Sequence, residues 1–122
     1  MDYRKIYAEH YGIRIPKDFD IHHIDLNHDN NILENLILIP HELHMRLHKC
    51  INGGLVSIAT ETLQFRFCVM PSHCNASAYQ LKQFAEVYDE LTIWSSRKDF
   101  EDRRLYGYDG YMPFDYNEFR NE

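Results

Sequence analysis

Apolar residues recur along this chain at periods that change from segment to segment. Tyr3, Ile6, Tyr7 and Tyr11 fall at helical spacing, which predicts a helix over 3–11 closed by Gly12. Residues 13–18, with Pro16, read as a connector. Phe19 to Ile24 (FDIHHI) predicts a short strand, and residues 25–35, crowded with Asn and Asp, predict a long loop. The apolar run Leu36 to Ile39 predicts a second strand. Pro40 suits the first position of a helix, where its missing N–H costs nothing. That helix runs to about Ile51 and stops at Asn52-Gly53-Gly54. On it Leu43, Leu47, Cys50 and Ile51 share an apolar face, His41, His44 and His48 form a stripe beside that face, and Arg46 and Lys49 fall on the opposite side.

Further on, Leu55–Ala59 and Leu63–Val69 predict a hairpin, with Leu63, Phe65, Phe67 and Val69 alternating against Gln64, Arg66 and Cys68. Ser77-x-x-Gln80 is a capping box that opens a helix to about Ile93, with Leu81, Phe84, Ala85, Tyr88 and Leu91 inward. From Arg97 onward the chain is charged and rich in tyrosine, and Gly107, Gly110 and Pro113 interrupt any period. A solvated tail would not need the six aromatics that follow Leu105, and an acidic segment is a poor DNA arm. Docking is expected, on the chain's own core or on a protein partner through this C-terminal region. The pattern gives an α+β fold with two parts, 1–55 carrying the histidines and 56–122 forming a hairpin-plus-helix extension.

Composition narrows the function classes. With 122 residues, 44% apolar and 14% aromatic, the chain can bury a core. No stretch approaches the roughly 20 apolar residues of a membrane span, and the first residues lack the apolar centre of a signal peptide, so a cytoplasmic location is expected and no membrane partner. Cys50, Cys68 and Cys74 lie in no paired spacing and read as reduced thiols rather than a zinc site with His73. The net charge of −6 is the wrong sign for bulk attraction to phosphate backbones, so any nucleic-acid affinity needs a local patch, a bound cation or a partner.

Seven of the eight histidines fall within residues 10–48. His44 and His48, four apart on the predicted helix, project from one face and can hold a cation from one side. A third ligand must come from another segment, and one of His22 and His23 can supply it; neighbours on a strand face opposite ways, which frees the other. An imidazole titrating near neutral pH suits a general base if its tautomer is fixed, and Asn35 is placed to fix it.

The order His-His-Ile-Asp, an Asn-containing loop, Asn35-Leu36, His44 nine residues on and His48 four more resembles the HNH (ββα-metal) endonuclease motif, and is similar to colicin-type DNases and to phage and intron HNH homing endonucleases. The resemblance covers roughly residues 19–50. It implies a ββα-metal core, one divalent metal ion (Mg, Mn, Zn or Ni), double-stranded DNA as partner, and phosphodiester hydrolysis leaving 5′-phosphate ends. Carried over by position, it implies His22, His44 and His48 as metal ligands, His23 as general base and Asn35 as the residue bracing loop and base. His41 and Arg46 are candidate phosphate contacts. The paired Cys-x-x-Cys motifs of many members are missing: Pro40 and Leu43 stand where cysteines would. Two other classes accommodate the same residues, a nonenzymatic metal-stabilised binding module and a nuclease subunit of a larger phage, defence or toxin assembly.

Overall fold

The order of elements follows the alternating periods of the sequence. Helix α1 spans Tyr3–Tyr11, strands β1 and β2 span Phe19–His23 and Leu36–Pro40, and helix α2 spans His41–Asn52. Strands β3 and β4 cover Val56–Ile58 and Phe67–Val69, and helix α3 covers Ala78–Leu105. The computed structural model describes residues 2–52, 56–58, 67–69, 78–105 and 116–120. Ser77 of the capping box, His73, Cys74 and most of the aromatic tail lie outside the described residues, as do the side chains of β3 and β4, including Cys68.

Local signals explain the boundaries. The Asp2 carboxylate accepts from the backbone N–H groups of Arg4 and Lys5, two donors that the first turn of α1 would otherwise leave open. Gly12 ends the helix in the left-handed region, φ 65°, where a side chain is disfavoured. A single 3₁₀ turn, Leu33–Asn35, closes the long loop directly before β2. Helix α2 begins at His41, one residue beyond the expected Pro40, and the His41 N–H is taken by the carbonyl of Asp18 at 2.8 Å.

Strands β1 and β2 pair antiparallel, in register Phe19↔Pro40 through His23↔Leu36. Strand β2 has a core on each face, which is why it reads as an unbroken apolar run rather than an alternation. Ile37 and Ile39 join Ile24, Leu43, Leu47, Cys50, Phe84, Val87 and Leu91 beneath α2 and α3. Leu36 and Leu38 join Ile21, Tyr7, Tyr11, Ile13 and Tyr116 on the α1 side. Strands β3 and β4 pair antiparallel, Val56↔Val69 to Ile58↔Phe67, so the described part of the expected hairpin is present.

Helix α3 departs most from expectation. It continues to Leu105, twelve residues beyond the expected end at Ile93. Its inward face is Phe84, Val87, Leu91, Trp94, Lys98 and Glu101, while Ala85 and Tyr88 are exposed. The face is continuous, but its last members are charged, and charge hid the helical period beyond Arg97.

Those charges belong to a buried polar anchor. Glu101 is fully buried; its carboxylate accepts from Arg104, from Arg120 and from the backbone N–H of Tyr116. The Tyr116 and Tyr7 hydroxyls bond at 2.6 Å, Tyr11 donates to Asp102, and Lys98 bonds both Tyr11 and Asp102. Arg120 also donates to the Tyr11 carbonyl, and Arg14 N–H to the Phe119 carbonyl. Residues 97–105 and 116–120 are thereby bound to α1 and its connector.

Candidate metal centre

The sheet and α2 bring three imidazoles together. On β1, Asp20 and His22 lie two apart and so share the face that α2 covers, while Ile21 and His23 point to the other. One turn apart on α2, His44 and His48 meet His22 there. His22, His44 and His48 each offer one ring nitrogen, all within 4.8 Å of one another. The Nε2 atoms of His44 and His48 face each other at 2.9 Å. His22 is almost fully buried, and burial, followed by its neighbours His44 and His48, pushes its pKa down to about 3. Burial and His44 likewise lower the pKa of His48. Both imidazoles are therefore neutral at pH 7, the state in which a ring nitrogen can ligate. Three converging imidazoles fit a single transition-type divalent ion and leave positions open beyond them.

His23 lies beside this cluster rather than in it. Its Nε2 is 2.8 Å from Oδ1 of Asn31; that oxygen only accepts, so the ring donates and Nδ1 keeps its lone pair. The edge of the ring meets Tyr3 at 4.7 Å, and His28 lies 4.8 Å away. A small cavity of about 50 Å³ is bordered by Tyr3, His22, His23, Leu26, His28, His44 and His48, residues from both faces of β1 among them.

Asn35 is fully buried but does not reach His23. Its Oδ1 accepts from the Asp25 N–H at 2.9 Å, and its Nδ2 donates to Asp25 Oδ1 and to the Asn30 carbonyl. Asn30 donates in turn to Asp25 Oδ2. Burial alone would raise the Asp25 pKa; the hydrogen bonds from Asn30, Asn27 and Asn35 outweigh it and hold the group low. Asn35 therefore ties Asp25 to Asn30 within the loop, while the amide bonded to the His23 ring belongs to Asn31. All three hydrogen bonds of the Asn35 amide lie within the loop.

The two candidate phosphate contacts are both engaged by protein. His41 Nδ1 bonds Asp20 Oδ2 at 2.6 Å, and Arg46 bonds Glu90 of α3 at 2.7 Å. Both nevertheless line an open groove along α2 with His44, Met45, His48 and Lys49. Asp20 went unnoticed in the sequence, and its Oδ2 also takes His44 Nδ1 at 2.9 Å. Its spacing from His22 was the available signal, since two residues along a strand return to the same face. Nothing in the sequence pointed to Glu90.

Residues 4–46 match the family model described as HNH endonuclease. That segment belongs to the HNH family. The match takes in α1, the β1–β2 sheet and the first half of α2; His48 lies just past it. The architecture agrees with the expected α+β fold, an antiparallel two-stranded sheet followed by a helix. Comparison with curated proteins and with solved structures gave no match. An HNH endonuclease domain implies nuclease activity on a nucleic acid, and no described helix is long and apolar enough to cross a membrane.

Proposed function

We propose that this chain is a metal-dependent endonuclease that hydrolyses phosphodiester bonds of double-stranded DNA, with His22, His44 and His48 holding one divalent ion and His23 acting as general base. The observation that carries this reading is the pairing of two unlike histidine environments across one small cavity. Three imidazoles turn nitrogens toward a common point, while a fourth is held by an amide with its second nitrogen left to accept a proton.

In this reading the Nδ1 of His23 takes the proton of the attacking water, and Asn31 keeps the ring in the tautomer that allows it. The Asp25–Asn35 bonds keep the loop, and so Asn31, in place. When bound, a divalent ion supplies Lewis-acid stabilisation of the phosphate and the leaving oxygen. Lys49, exposed on the groove along α2 that His44 and His48 also line, offers a positive charge for a phosphate backbone.

Cleavage of supercoiled plasmid by the full chain, with Mg, Mn, Zn or Ni and with chelator, tests the proposal. Metal-dependent nicking or linearisation is expected. His23→Ala should lower the rate by roughly 10²–10⁴-fold while calorimetric metal binding stays near wild type, because the base is not a ligand. No cleavage with any of these ions overturns the reading; metal-raised thermal stability without cleavage would mark a metal-stabilised binding module. If His23→Ala loses metal as His44→Ala does, the roles of His22 and His23 are exchanged.

A further inference from the structure

The carboxylate of Asp20 accepts two imidazole N–H groups on a single oxygen, from His41 at 2.6 Å and from His44 at 2.9 Å. Both contacts use Nδ1, and a carboxylate oxygen accepts, so both rings carry their proton on Nδ1. In the neutral form of His44 this leaves the lone pair on Nε2, the nitrogen that faces His48. The same strand segment grips the start of α2 at a second point, the 2.8 Å bond from the His41 N–H to the Asp18 carbonyl. Together these contacts fix how α2 crosses β1, and hence how His44 and His48 meet His22.

We propose, resting on the metal-centre reading above, that Asp20 is a positioning residue of this centre: it locks the tautomer and orientation of His44, and His41 shares its oxygen to hold the carboxylate still. His41 is then a support for the centre rather than a phosphate ligand. A carboxylate behind a ligating imidazole also makes the ring a stronger donor, and losing such a partner typically weakens metal binding by roughly 10–100-fold.

Two measurements on the full chain test this. In the first, Zn and Ni affinities of wild type, Asp20→Asn and His41→Ala are compared by calorimetry. Asp20→Asn is expected to weaken binding roughly 10–100-fold with the circular dichroism spectrum unchanged, and His41→Ala to weaken it less. In the second, ¹⁵N shifts of the metal-free wild-type imidazoles report the His44 tautomer, with Nδ1–H expected. Unchanged affinity in Asp20→Asn, or an Nε2–H tautomer at His44, overturns the proposal. Wild type that binds neither ion overturns the metal-centre reading instead, and the tautomer measurement, which needs no metal and no variant, still decides the role of Asp20. It decides equally if Asp20→Asn fails to fold.

Discussion

Two polar clusters are buried in this fold, and they are built on opposite rules. In the anchor formed by Tyr7, Tyr11, Tyr116, Lys98, Glu101, Asp102 and Arg120, donors meet acceptors and cations meet carboxylates. In the histidine cluster, like meets like: the nitrogens of His22, His44 and His48 converge, and two of them face each other at 2.9 Å. A polar group buried against its complement stabilises the chain that contains it. Imidazole nitrogens turned toward a common point are also arranged to take a cation between them. The contrast separates structure from site without reference to any relative: the anchor is rich in charged pairs, while the centre gathers imidazoles.

The contrast breaks first at Glu101. Its carboxylate is fully buried and serves two arginines and a backbone N–H, so Glu101→Leu leaves three donors unmatched. A loss of about 3 kcal/mol in unfolding free energy is expected, at the low end for breaking a buried ion pair because both arginines reach solvent. Urea denaturation measures it, and metal affinity under folded conditions should not change. A loss below 1 kcal/mol would show that the anchor is decoration; a parallel loss of metal affinity would show that the two clusters are one.

Acid separates the clusters by window. The folded-state pKa of His22, about 3, lies below its ordinary 6.5, so the neutral ring contributes stability that is complete above pH 6.5 and lost as pH falls toward 3. For Glu101, burial alone would raise the pKa, but its bonds to Arg120, Tyr116 and Arg104 outweigh it; its contribution is complete above the ordinary 4.5 and lost only as pH falls further, through the depressed folded value. The metal-free chain should therefore lose about 2–3 kcal/mol between pH 7.5 and 4.5 through His22 alone. Thermal melts in chelator should show this slope, and His22→Gln should flatten it. If the slope persists in that variant, the cluster is not what titrates.

Much of this was legible in the sequence, for physical reasons that differ between the clusters. The histidines announced themselves because ligation needs one residue type at spacings set by helix and strand periods. The strands and α2 followed from apolar runs and Pro40. The anchor stayed hidden because its members are common residues, joined across more than a hundred positions in the case of Tyr7 and Tyr116. Lys98 and Glu101 also broke the apolar period that would have carried α3 to Leu105. Within the site, Asn31 and Asn35 were interchangeable as letters; which amide orients His23 depends on loop geometry that no spacing encodes.

Strain offers the finest distinction between the two regions. Leu26 is the one described non-glycine residue with positive φ, 65°, and it borders the cavity of the histidines rather than the anchor. The left-handed conformation costs a residue with a side chain roughly 1–2 kcal/mol. It persists because the Leu26 N–H bonds the His23 carbonyl at 3.0 Å and the Asp25 carboxylate bonds the next N–H, that of Asn27, fixing the turn from both sides. Leu26→Gly removes the strain but frees the unfolded chain, which returns about 0.5–1 kcal/mol. A net gain of about 0.5 kcal/mol in unfolding free energy is expected. The leucine is 40% exposed, so little packing is lost. If Leu26→Gly is instead destabilising by more than 1 kcal/mol, the side chain is sealing the cavity, and the turn beside His23 is held by burial rather than by its hydrogen bonds.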